Sequence, residues 1–242
     1  MHRNLLFDLD QTLLDFHASE RIALRAVMDR YGLVFTDERY AFFKEVNKNL
    51  WLEFEKGSIT KTELFETRFG RLFTECGLDT SGMNLLDVNS FFIDYMSQHG
   101  VLLDGVLEFL QRIADNIPDA RSYVITNGVE RNALGRINST GLNKFIREVF
   151  VSETIGASKP STEYFEFVRK AVGEPDGSCI VIGDSLTSDM LGAKNAGLTS
   201  CWFMPDENTG EAVREFGINY TASSFDELYE VIRKWSGSFK NT

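Results

Sequence analysis

The sequence predicts an α/β protein, in which a doubly wound, Rossmann-like parallel sheet carries an inserted all-helical cap domain. From residue 101 onward, short apolar runs alternate with helical segments nearly to the C-terminus, which is the pattern of repeated βα units. Residues 5–7 form another short apolar run, but helical periodicity follows it for most of the next hundred residues. We therefore predict a discontinuous core domain of residues 1–14 and 101–242, and a cap domain of residues 15–100 over the first strand's end.

Composition describes an ordinary globular protein with excess negative charge. The 242 residues are 43% hydrophobic and 25% charged, enough for one large core or a core with a second small one. A formal net charge of -11 argues against nucleic acid or an anionic membrane as a partner, since both are bound through basic patches. A small phosphorylated metabolite remains compatible, provided that a divalent cation and a nearby Lys or Arg make the site locally positive.

Cysteine usage and the N-terminus both favour the cytoplasm. The three cysteines are far apart in the sequence, so neither a disulfide framework nor a CxxC metal site is indicated. The first strand begins almost at once, which leaves no room for a signal peptide, and no apolar stretch has the length of a membrane span. We expect a cytoplasmic protein that is a monomer or a small homo-oligomer.

The first strand ends in two carboxylates, Asp8 and Asp10. A short apolar run interrupted by acidic residues is typical of a buried parallel strand that emerges into a polar site at its carboxyl end, where open α/β sheets bind ligands. Even with a turn after Asp8, the two carboxylates stay close enough to share a small ligand or a metal ion. The alternative is an ordinary solvated turn, in which Asp is common.

Helical periodicity then predicts four helices in the insertion. The first two end at glycines, and the third opens with a capping box from Thr60 to Glu63. The predicted spans are residues 18–31, 37–56, 61–75 and 85–98.

The rest of the chain predicts alternating strands and helices joined by right-handed crossovers. The strands are predicted at residues 122–125, 148–151, 179–182, 200–203 and 218–221. The helices are predicted at residues 105–116, 130–139, 162–172, 188–196 and 224–235.

Polar segments follow two of these strands directly, as Asp8 and Asp10 follow the first, and in a parallel sheet these places lie on one edge. The segments are Thr126-Asn127-Gly128 and Gly183-Asp184-Ser185, and the segment after the strand ending at Val151 adds Ser158-Lys159-Pro160. Each one alone is an ordinary turn, strand ending or surface lysine. Their agreement in position is what indicates a site.

Together with Asp8, these segments provide the parts of a phosphoryl-transfer site. Asp184, with Asp189 behind it, adds hard oxygen ligands of the kind that Mg²⁺ prefers. Thr126 and the backbone near Asn127 and Gly128 can hold phosphoryl oxygens. Lys159 supplies a fixed positive charge against the negative charge of the transferring group.

The ordered set of motifs resembles the haloacid dehalogenase-like (HAD) hydrolases over nearly the whole chain. The family's first motif, Asp-x-Asp-x-Thr, is present as Asp8-Leu9-Asp10-Gln11-Thr12. Its second motif, a Thr or Ser at a strand end, is Thr126, and its third is Lys159-Pro160. Its fourth, Gly-Asp-x-x-x-x-Asp, runs from Gly183 to Asp189. The insertion after the first strand is similar to the family's helical cap.

The resemblance implies a role for each acidic residue. Asp8 would attack phosphorus to form an aspartyl-phosphate, and Asp10 would protonate the leaving oxygen and later take a proton from water. Mg²⁺ would be held by Asp8, the main-chain carbonyl of Asp10 and Asp184, with Asp189 acting as a water-mediated or more distant ligand. Family members that displace halide lack the second Asp, so the presence of Asp10 argues against a dehalogenase.

A narrower similarity is to the cytosolic HAD-type pyrimidine 5′-nucleotidases. It rests on residues 47–51 and 57–60 of the cap, the turn at residues 126–128, and residues 152–156 ahead of Lys159. Asn47 and Trp51 share one helical face, so we predict an amide and an aromatic ring that bind a nucleoside. Trp51 as part of the cap core is the alternative.

Other functions stay open at this stage. A phosphatase or phosphomutase acting on a sugar phosphate is the main alternative, and a dehalogenase or a non-catalytic binding module is less favoured. Phosphonate cleavage requires a cap lysine for a Schiff base. The cap lysines fit solvated helix faces better; they are Lys44, Lys48, Lys56 and Lys61.

Overall fold

The core of the protein is a six-stranded, all-parallel sheet with the strand order β3-β2-β1-β4-β5-β6. A computed structural model describes residues 2–173, 178–203 and 209–237. The strands are β1 (Arg3–Phe7), β2 (Ala120–Thr126), β3 (Ile146–Val151), β4 (Cys179–Gly183), β5 (Thr199–Phe203) and β6 (Tyr220–Ala222). Since the winding direction reverses beside β1, the ends of β1, β2 and β4 border a crevice of the type that binds ligands in such sheets.

Eleven α-helices are present in the described part of the chain. Four lie between β1 and β2: α1 (Phe16–Arg30), α2 (Asp37–Glu55), α3 (Lys61–Glu75) and α4 (Leu85–Gln98). The others are α5 (Val106–Asn116), α6 (Glu130–Ser139), α7 (Ser152–Ile155), α8 (Thr162–Val172), α9 (Leu191–Asn195), α10 (Thr209–Phe216) and α11 (Phe225–Gly237).

The predicted fold class is confirmed, and most strands and helices lie within two residues of their predicted bounds. The predicted capping box of α3 is formed, with Thr60 and Glu63 bonding to each other's backbone. The helix expected at residues 188–196 instead starts with a π-helical turn over Leu186–Met190 and continues as α9. The sequence pattern did not predict α7 or α10. None of the described helices combines the length and apolar character needed to cross a membrane.

Alternation along β1 directs its side chains into two apolar clusters, one on each face of the sheet. Leu5 and Phe7 pack on one side among residues of α5, α6 and α11. Leu6 packs on the other side with residues of α8 and α9. All three side chains are fully buried, which makes β1 the rigid centre from which the following loop projects.

Helices α1 to α4 contain apolar clusters of their own. The larger one joins all four helices and includes an aromatic group at its centre, Phe43, Phe69 and Phe92. The smaller one joins α2 and α3 through Val46, Leu50 and Leu64. A separate core is what an inserted domain needs, and this observation supports our division into a cap of residues 15–100 and a sheet domain.

The two connections between the cap and the sheet run side by side. The amide of Asp15 donates to the carbonyl of Val101 over 2.9 Å, and the amide of Val101 donates to the Ser19 hydroxyl over 3.0 Å. Close by, α4 of the cap packs on α6 of the core. Gly135 makes this approach possible, because a Cβ added there would lie 2.5 Å from the Ser97 Cβ and 2.9 Å from its carbonyl oxygen.

We predict that Gly135→Ala destabilises the protein by about 1–3 kcal/mol, because the added methyl group overpacks the junction of α4 and α6 against backbone that cannot rotate away. Thermal unfolding should show a lower melting temperature. Gly210→Ala in α10 is the matched control, since an added Cβ there meets nothing within 4 Å. An unchanged melting temperature for Gly135→Ala would show that α4 and α6 can separate at little cost.

Candidate active site

The loop after β1 places Asp8 at the edge of the sheet. The Asp8 amide donates to the carbonyl of Ile182 over 2.8 Å, so this residue still follows the ladder with β4. The chain then makes a tight turn in which the Leu9 carbonyl accepts bonds from the amides of Leu13 and Leu14. These leucines are fully buried and anchor the turn. Asp8 is therefore nearly buried, and Asp10 leaves the line of the strand.

Asp10 forms a bidentate ion pair with Arg136 of α6. One carboxylate oxygen lies 2.5 Å from Nη1 of Arg136 and the other lies 3.1 Å from Nη2. The Arg136 side chain is 1% exposed, whereas Asp10 is 29% exposed toward the cavity. The pair holds the carboxyl of Asp10 in one orientation, because the planar guanidinium fits both of its oxygens at once.

The loop after β2 combines two of the predicted residues in a compact turn. The Thr126 hydroxyl accepts a bond from the amide of Gly128 over 3.0 Å. Asn127 instead braces the neighbouring loop, with its amide nitrogen donating to the carbonyl of Lys159 and its amide oxygen accepting from the backbone N–H of Lys159. The side chain of Asn127 thus fixes the backbone that carries Lys159.

Lys159 is buried at the centre of the site, and its ammonium has three acceptors. Nζ lies 2.6 Å from Oδ1 of Asp8, 2.7 Å from Oδ1 of Asp189 and 3.1 Å from the carbonyl oxygen of Ile125. An ammonium has three N–H donors, so all of them are used. Lys159 precedes a cis peptide bond to Pro160, and Ser161 caps α8. Pro160 therefore lies ahead of the helix, not in its first turn.

The loop after β4 carries the remaining carboxylates. Asp189 sits in the π-helical turn and is fully buried, with Oδ2 accepting a bond from the Ser185 amide over 3.2 Å. Gly183 gives Asp189 its space, because a Cβ at that position would overlap the carboxyl group. Asp8, Asp184 and Asp189 each offer an oxygen within 4.8 Å of the others, so these three could hold a metal ion.

The electrostatics of this cluster favour an additional cation. Burial raises the pKa of Asp8 well above its ordinary value, against the effect of Lys159, and the carboxylates of Asp189 and Asp184 raise it further. Burial and the nearby Asp189 raise the pKa of Asp184 to about 7. Burial lowers the pKa of Lys159, but Asp189 and Asp8 outweigh it and raise that pKa above the ordinary lysine value. One ammonium among three carboxylates leaves an excess of negative charge.

A cavity of about 220 Å³ lies between the sheet edge and the cap. Its floor includes the predicted residues of the core, and its upper wall comes from α2, α3 and α4. The core residues in the lining are Asp8, Asp10, Thr126, Asn127, Gly128, Lys159, Asp184 and Asp189. Residues that lie far apart in the sequence thus line one cavity, which is open to solvent on one side.

The two predicted nucleoside-binding residues of α2 lie in different places. Trp51 lines the cavity and packs edge-on against Phe54, with ring centroids 5.6 Å apart. Asn47 is buried within the cap and is absent from the cavity lining. Its amide nitrogen donates to Glu20 over 2.8 Å and its oxygen accepts from Arg68 over 3.2 Å. The structure therefore does not bring Asn47 to the cavity.

Several polar residues of the site were not predicted from the sequence. Arg136 shares the apolar face of α6 with Ala133 and Ile137, and an arginine at such a position is a usable signal of a buried partner. Arg68 and Glu55 line the cavity from the cap. Glu55 accepts a bond from the Thr187 hydroxyl over 3.2 Å.

Lys61 differs from the prediction that the cap lysines are solvated. Its side chain is 17% exposed, and its ammonium donates to the carbonyl of Gly128 over 3.2 Å and to Glu153 over 3.3 Å. Lys48 and Lys56 are exposed as predicted, and Lys44 is half-buried. Lys61 therefore ties the start of α3 to the loop after β2.

Comparison with known proteins identifies the family. The model of the haloacid dehalogenase-like hydrolases matches residues 5–203, which include all four polar segments at the sheet edge. The chain belongs to this family. The predicted resemblance is confirmed, and the Rossmann-like sheet with its inserted helices is the family's expected architecture.

Three bacterial relatives align over nearly the full chain. HAD-hydrolase YfnB of Bacillus subtilis strain 168 is 34% identical over 96% of this chain and 95% of its own. Pyrimidine 5'-nucleotidase PynA of Streptococcus pneumoniae is 33% identical over 96% of each chain. Pyrimidine 5'-nucleotidase YjjG of Escherichia coli K12 is 32% identical over 95% of this chain and 97% of its own. The crystal structure of magnesium-bound YfnB has a TM-score of 0.84, covering 96% and 99% of the two chains at 32% identity.

We predict that Lys159→Met lowers the free energy of unfolding by about 3–5 kcal/mol, because it leaves Asp8 and Asp189 buried without their shared cation. Urea denaturation in metal-free buffer measures this loss. The control is Arg233→Met, which removes an exposed ion pair with Glu230 and should change stability little. A wild-type unfolding midpoint for Lys159→Met would mean that the two carboxylates find other compensation.

Proposed function

We propose that this HAD hydrolase is a Mg²⁺-dependent phosphatase that hydrolyses nucleoside 5′-monophosphates through an aspartyl-phosphate. The observation that carries the proposal is the convergence of Asp8, Asp10, Lys159 and Asp184 on one cavity roofed by the cap. The names of two close relatives, PynA and YjjG, support a nucleotide as the substrate.

The geometry suits Asp8 as the nucleophile. It projects from a rigid strand end into the cavity, and Lys159 orients its carboxylate through a 2.6 Å bond. In the first step, an oxygen of Asp8 bonds to phosphorus while the bond from phosphorus to the ester oxygen breaks. In the second step, water displaces Asp8 from phosphorus, which releases inorganic phosphate and restores the carboxylate.

Asp10 is placed to move the protons of both steps. It lines the same cavity two residues after Asp8, and its partner Arg136 approaches from the side of α6. The first step needs a proton given to the leaving oxygen, and the second needs a proton taken from the attacking water. The ion pair with Arg136 fixes the orientation of the Asp10 carboxyl beside Asp8, where both proton transfers would take place.

The donor set fits Mg²⁺. Asp8 and Asp184 supply carboxylate oxygens, and the uncompensated negative charge of the cluster matches a divalent cation. Asp189 uses one oxygen for Lys159 and the other for the Ser185 amide, so we assign it to orienting these neighbours. We include the main-chain carbonyl of Asp10 among the ligands. When bound, Mg²⁺ would offset the charge of the phosphate and polarise it toward attack.

Residues of the core would hold the phosphate itself. Thr126, at the end of β2, and Gly128 both line the cavity, and Gly128, which has no side chain, presents backbone to it. Lys159 contributes the positive charge that stabilises the transferring group. The cap residues then surround the rest of the substrate, and an apolar ring such as Trp51 suits a nucleoside better than a small sugar.

A substrate screen tests the proposal. The panel contains nucleoside 5′-monophosphates, sugar phosphates and a generic aryl phosphate, each assayed with Mg²⁺ and with excess chelator. We expect release of phosphate from nucleotides that depends on Mg²⁺, while circular dichroism shows that the fold largely survives chelation. Full activity after exhaustive metal removal, or activity on sugar phosphates alone, would contradict the proposal.

We predict that Asp8→Asn abolishes turnover while the protein stays folded, because the amide keeps the shape of the side chain but loses its nucleophilicity. Asp10→Asn should lower kcat by about 10²–10⁴-fold, since the amide cannot exchange a proton with the ester oxygen. Steady-state kinetics and thermal unfolding together separate these effects from misfolding. Wild-type turnover by folded Asp8→Asn protein rules out the covalent mechanism.

We predict that Trp51→Ala lowers kcat/KM for nucleoside monophosphates much more than for a small generic phosphate ester. The indole lines the cavity beside Phe54 at the end of α2, where it can pack against a nucleoside. Trp51→Phe, which keeps a ring, is the matched control. An equal loss on both substrates, or a large fall in melting temperature, would place Trp51 in the structural core of the cap.

A further inference from the structure

A buried arginine of the cap faces the same cavity as the catalytic carboxylates. Arg68 of α3 lines the cavity, yet it is only 2% exposed. Aromatic rings surround its guanidinium: the centroids of Phe65, Phe69 and Phe92 lie 5.2, 5.3 and 4.8 Å from its Cζ atom. A charge in such surroundings is costly unless something compensates it.

The described part of the chain offers Arg68 amide oxygens but no ion-pair partner. Its Nε donates to Oδ1 of Asn89 over 3.1 Å, Nη2 donates to the same oxygen, and Nη1 donates to Oδ1 of Asn47 over 3.2 Å. Burial lowers the pKa of Arg68 to about 10, against the opposing effect of the Glu20 carboxylate. Glu20 does not bond to the guanidinium directly. It accepts a bond from Asn47, which lies between the two charged groups.

These bonds fix the guanidinium and leave part of its donor capacity unused. A guanidinium has five N–H donors, and the two asparagines take one from each of its three nitrogens. One N–H on each Nη remains for a further acceptor. Asn47 and Asn89 therefore act as positioning residues, which gives Asn47 an indirect role in the cavity that its own side chain does not reach.

The cavity limits what that acceptor can be. Its volume of about 220 Å³ is small for a ligand pocket, and under the proposed function the same space also holds the phosphate and the ribose, which favours a single ring over a fused pair. Its cap wall is mostly apolar and includes Phe65, Phe92 and Ile93. One cation among aromatic rings suits a neutral, planar group with a carbonyl oxygen, whereas a second phosphate dianion would need more positive charge.

We propose that Arg68 is a specificity-determining residue, which donates hydrogen bonds to a carbonyl oxygen of a single-ring base in the nucleotide substrate. This inference rests on the proposed nucleotidase function and narrows it to pyrimidine nucleotides. Uracil, thymine and cytosine all carry such an oxygen, whereas adenine carries none and adds a second ring. Among the described residues the guanidinium bonds to two asparagines, and a carbonyl oxygen of the base would accept from its remaining N–H donors.

The test compares uridine 5′-monophosphate with ribose 5-phosphate, which has the same 5-phosphate and ribose but a hydroxyl in place of the base. We expect Arg68→Met to lower the ratio of their kcat/KM values by about 10- to 100-fold, as removal of a buried charged hydrogen bond would. The loss should come mainly from the uridine nucleotide, with ribose 5-phosphate little changed. Arg68→Lys keeps the charge but loses the planar fork, so we expect a smaller fall in the same ratio.

The exposed arginine of the same helix, Arg71, provides the matched control. Arg71→Met should leave the ratio at the wild-type value. Because the ratio is taken within each variant, partial misfolding lowers both rates and does not mimic the effect. If Arg68→Met fails to fold, the lysine variant alone decides the question.

The possible failures are distinguishable. A wild-type enzyme that hydrolyses no nucleoside 5′-monophosphate overturns the proposed nucleotidase function itself. If the wild type hydrolyses it and the Arg68 variants lose activity equally on both substrates, or lose none, only the role of Arg68 is overturned. A wild-type preference for adenosine 5′-monophosphate over the uridine nucleotide would likewise contradict recognition of a single-ring base.

Discussion

The buried ammonium of Lys159 is the interaction on which the site depends. It bonds to Asp8 from the loop after β1, to Asp189 from the turn after β4 and to the carbonyl of Ile125 in β2. These three elements are neighbours in the sheet but distant in the sequence. A single cation therefore links these three elements at the edge of the sheet and keeps the Asp8 carboxylate oriented, since removing it would leave two buried carboxylates without their shared partner.

The cap completes the site with a different kind of chemistry. The core presents carboxylates, an ammonium and backbone groups, which suit phosphate and metal. The cap presents aromatic rings and one buried guanidinium, which suit an uncharged ring system. Two polar contacts, from Lys61 to the loop after β2 and from Glu55 to Thr187, connect the ends of α2 and α3 to the core. The two parts thus offer the cavity different groups, mostly charged and polar ones from the core and mostly apolar ones from the cap.

The sequence predicted the site residues of the core better than those of the cap, because most of the core residues lie next to strands that can be recognised in the sequence. Asp8 and Asp184 directly follow β1 and β4, and Thr126 is the last residue of β2, so the position of the strand determines where each side chain lies. Lys159 comes after β3 and the short helix α7, and it was predicted from the segment Ser158-Lys159-Pro160 ahead of α8. Helical periodicity also located α1 to α4. It could not separate Asn47 from Trp51, because both lie on one face of α2 and only packing against α1 and α3 decides which one reaches the cavity. Arg68 and Arg136 were missed for a related reason, since their partners lie on elements distant in the sequence: Asn47 on α2 for Arg68, and Asp10 in the loop after β1 for Arg136.

The hydrogen bond between Asp15 and Val101 bears on how the chain folds. Strands β1 and β2 are adjacent in the sheet, with Arg3 beside Ala120, yet the whole cap separates them along the chain. Closing so long a loop costs entropy and slows the formation of a central strand pair. A cap that has already formed brings its own two ends together. The insertion then behaves as a short connection. We therefore expect helices α1 to α4 to form before β1 pairs with β2.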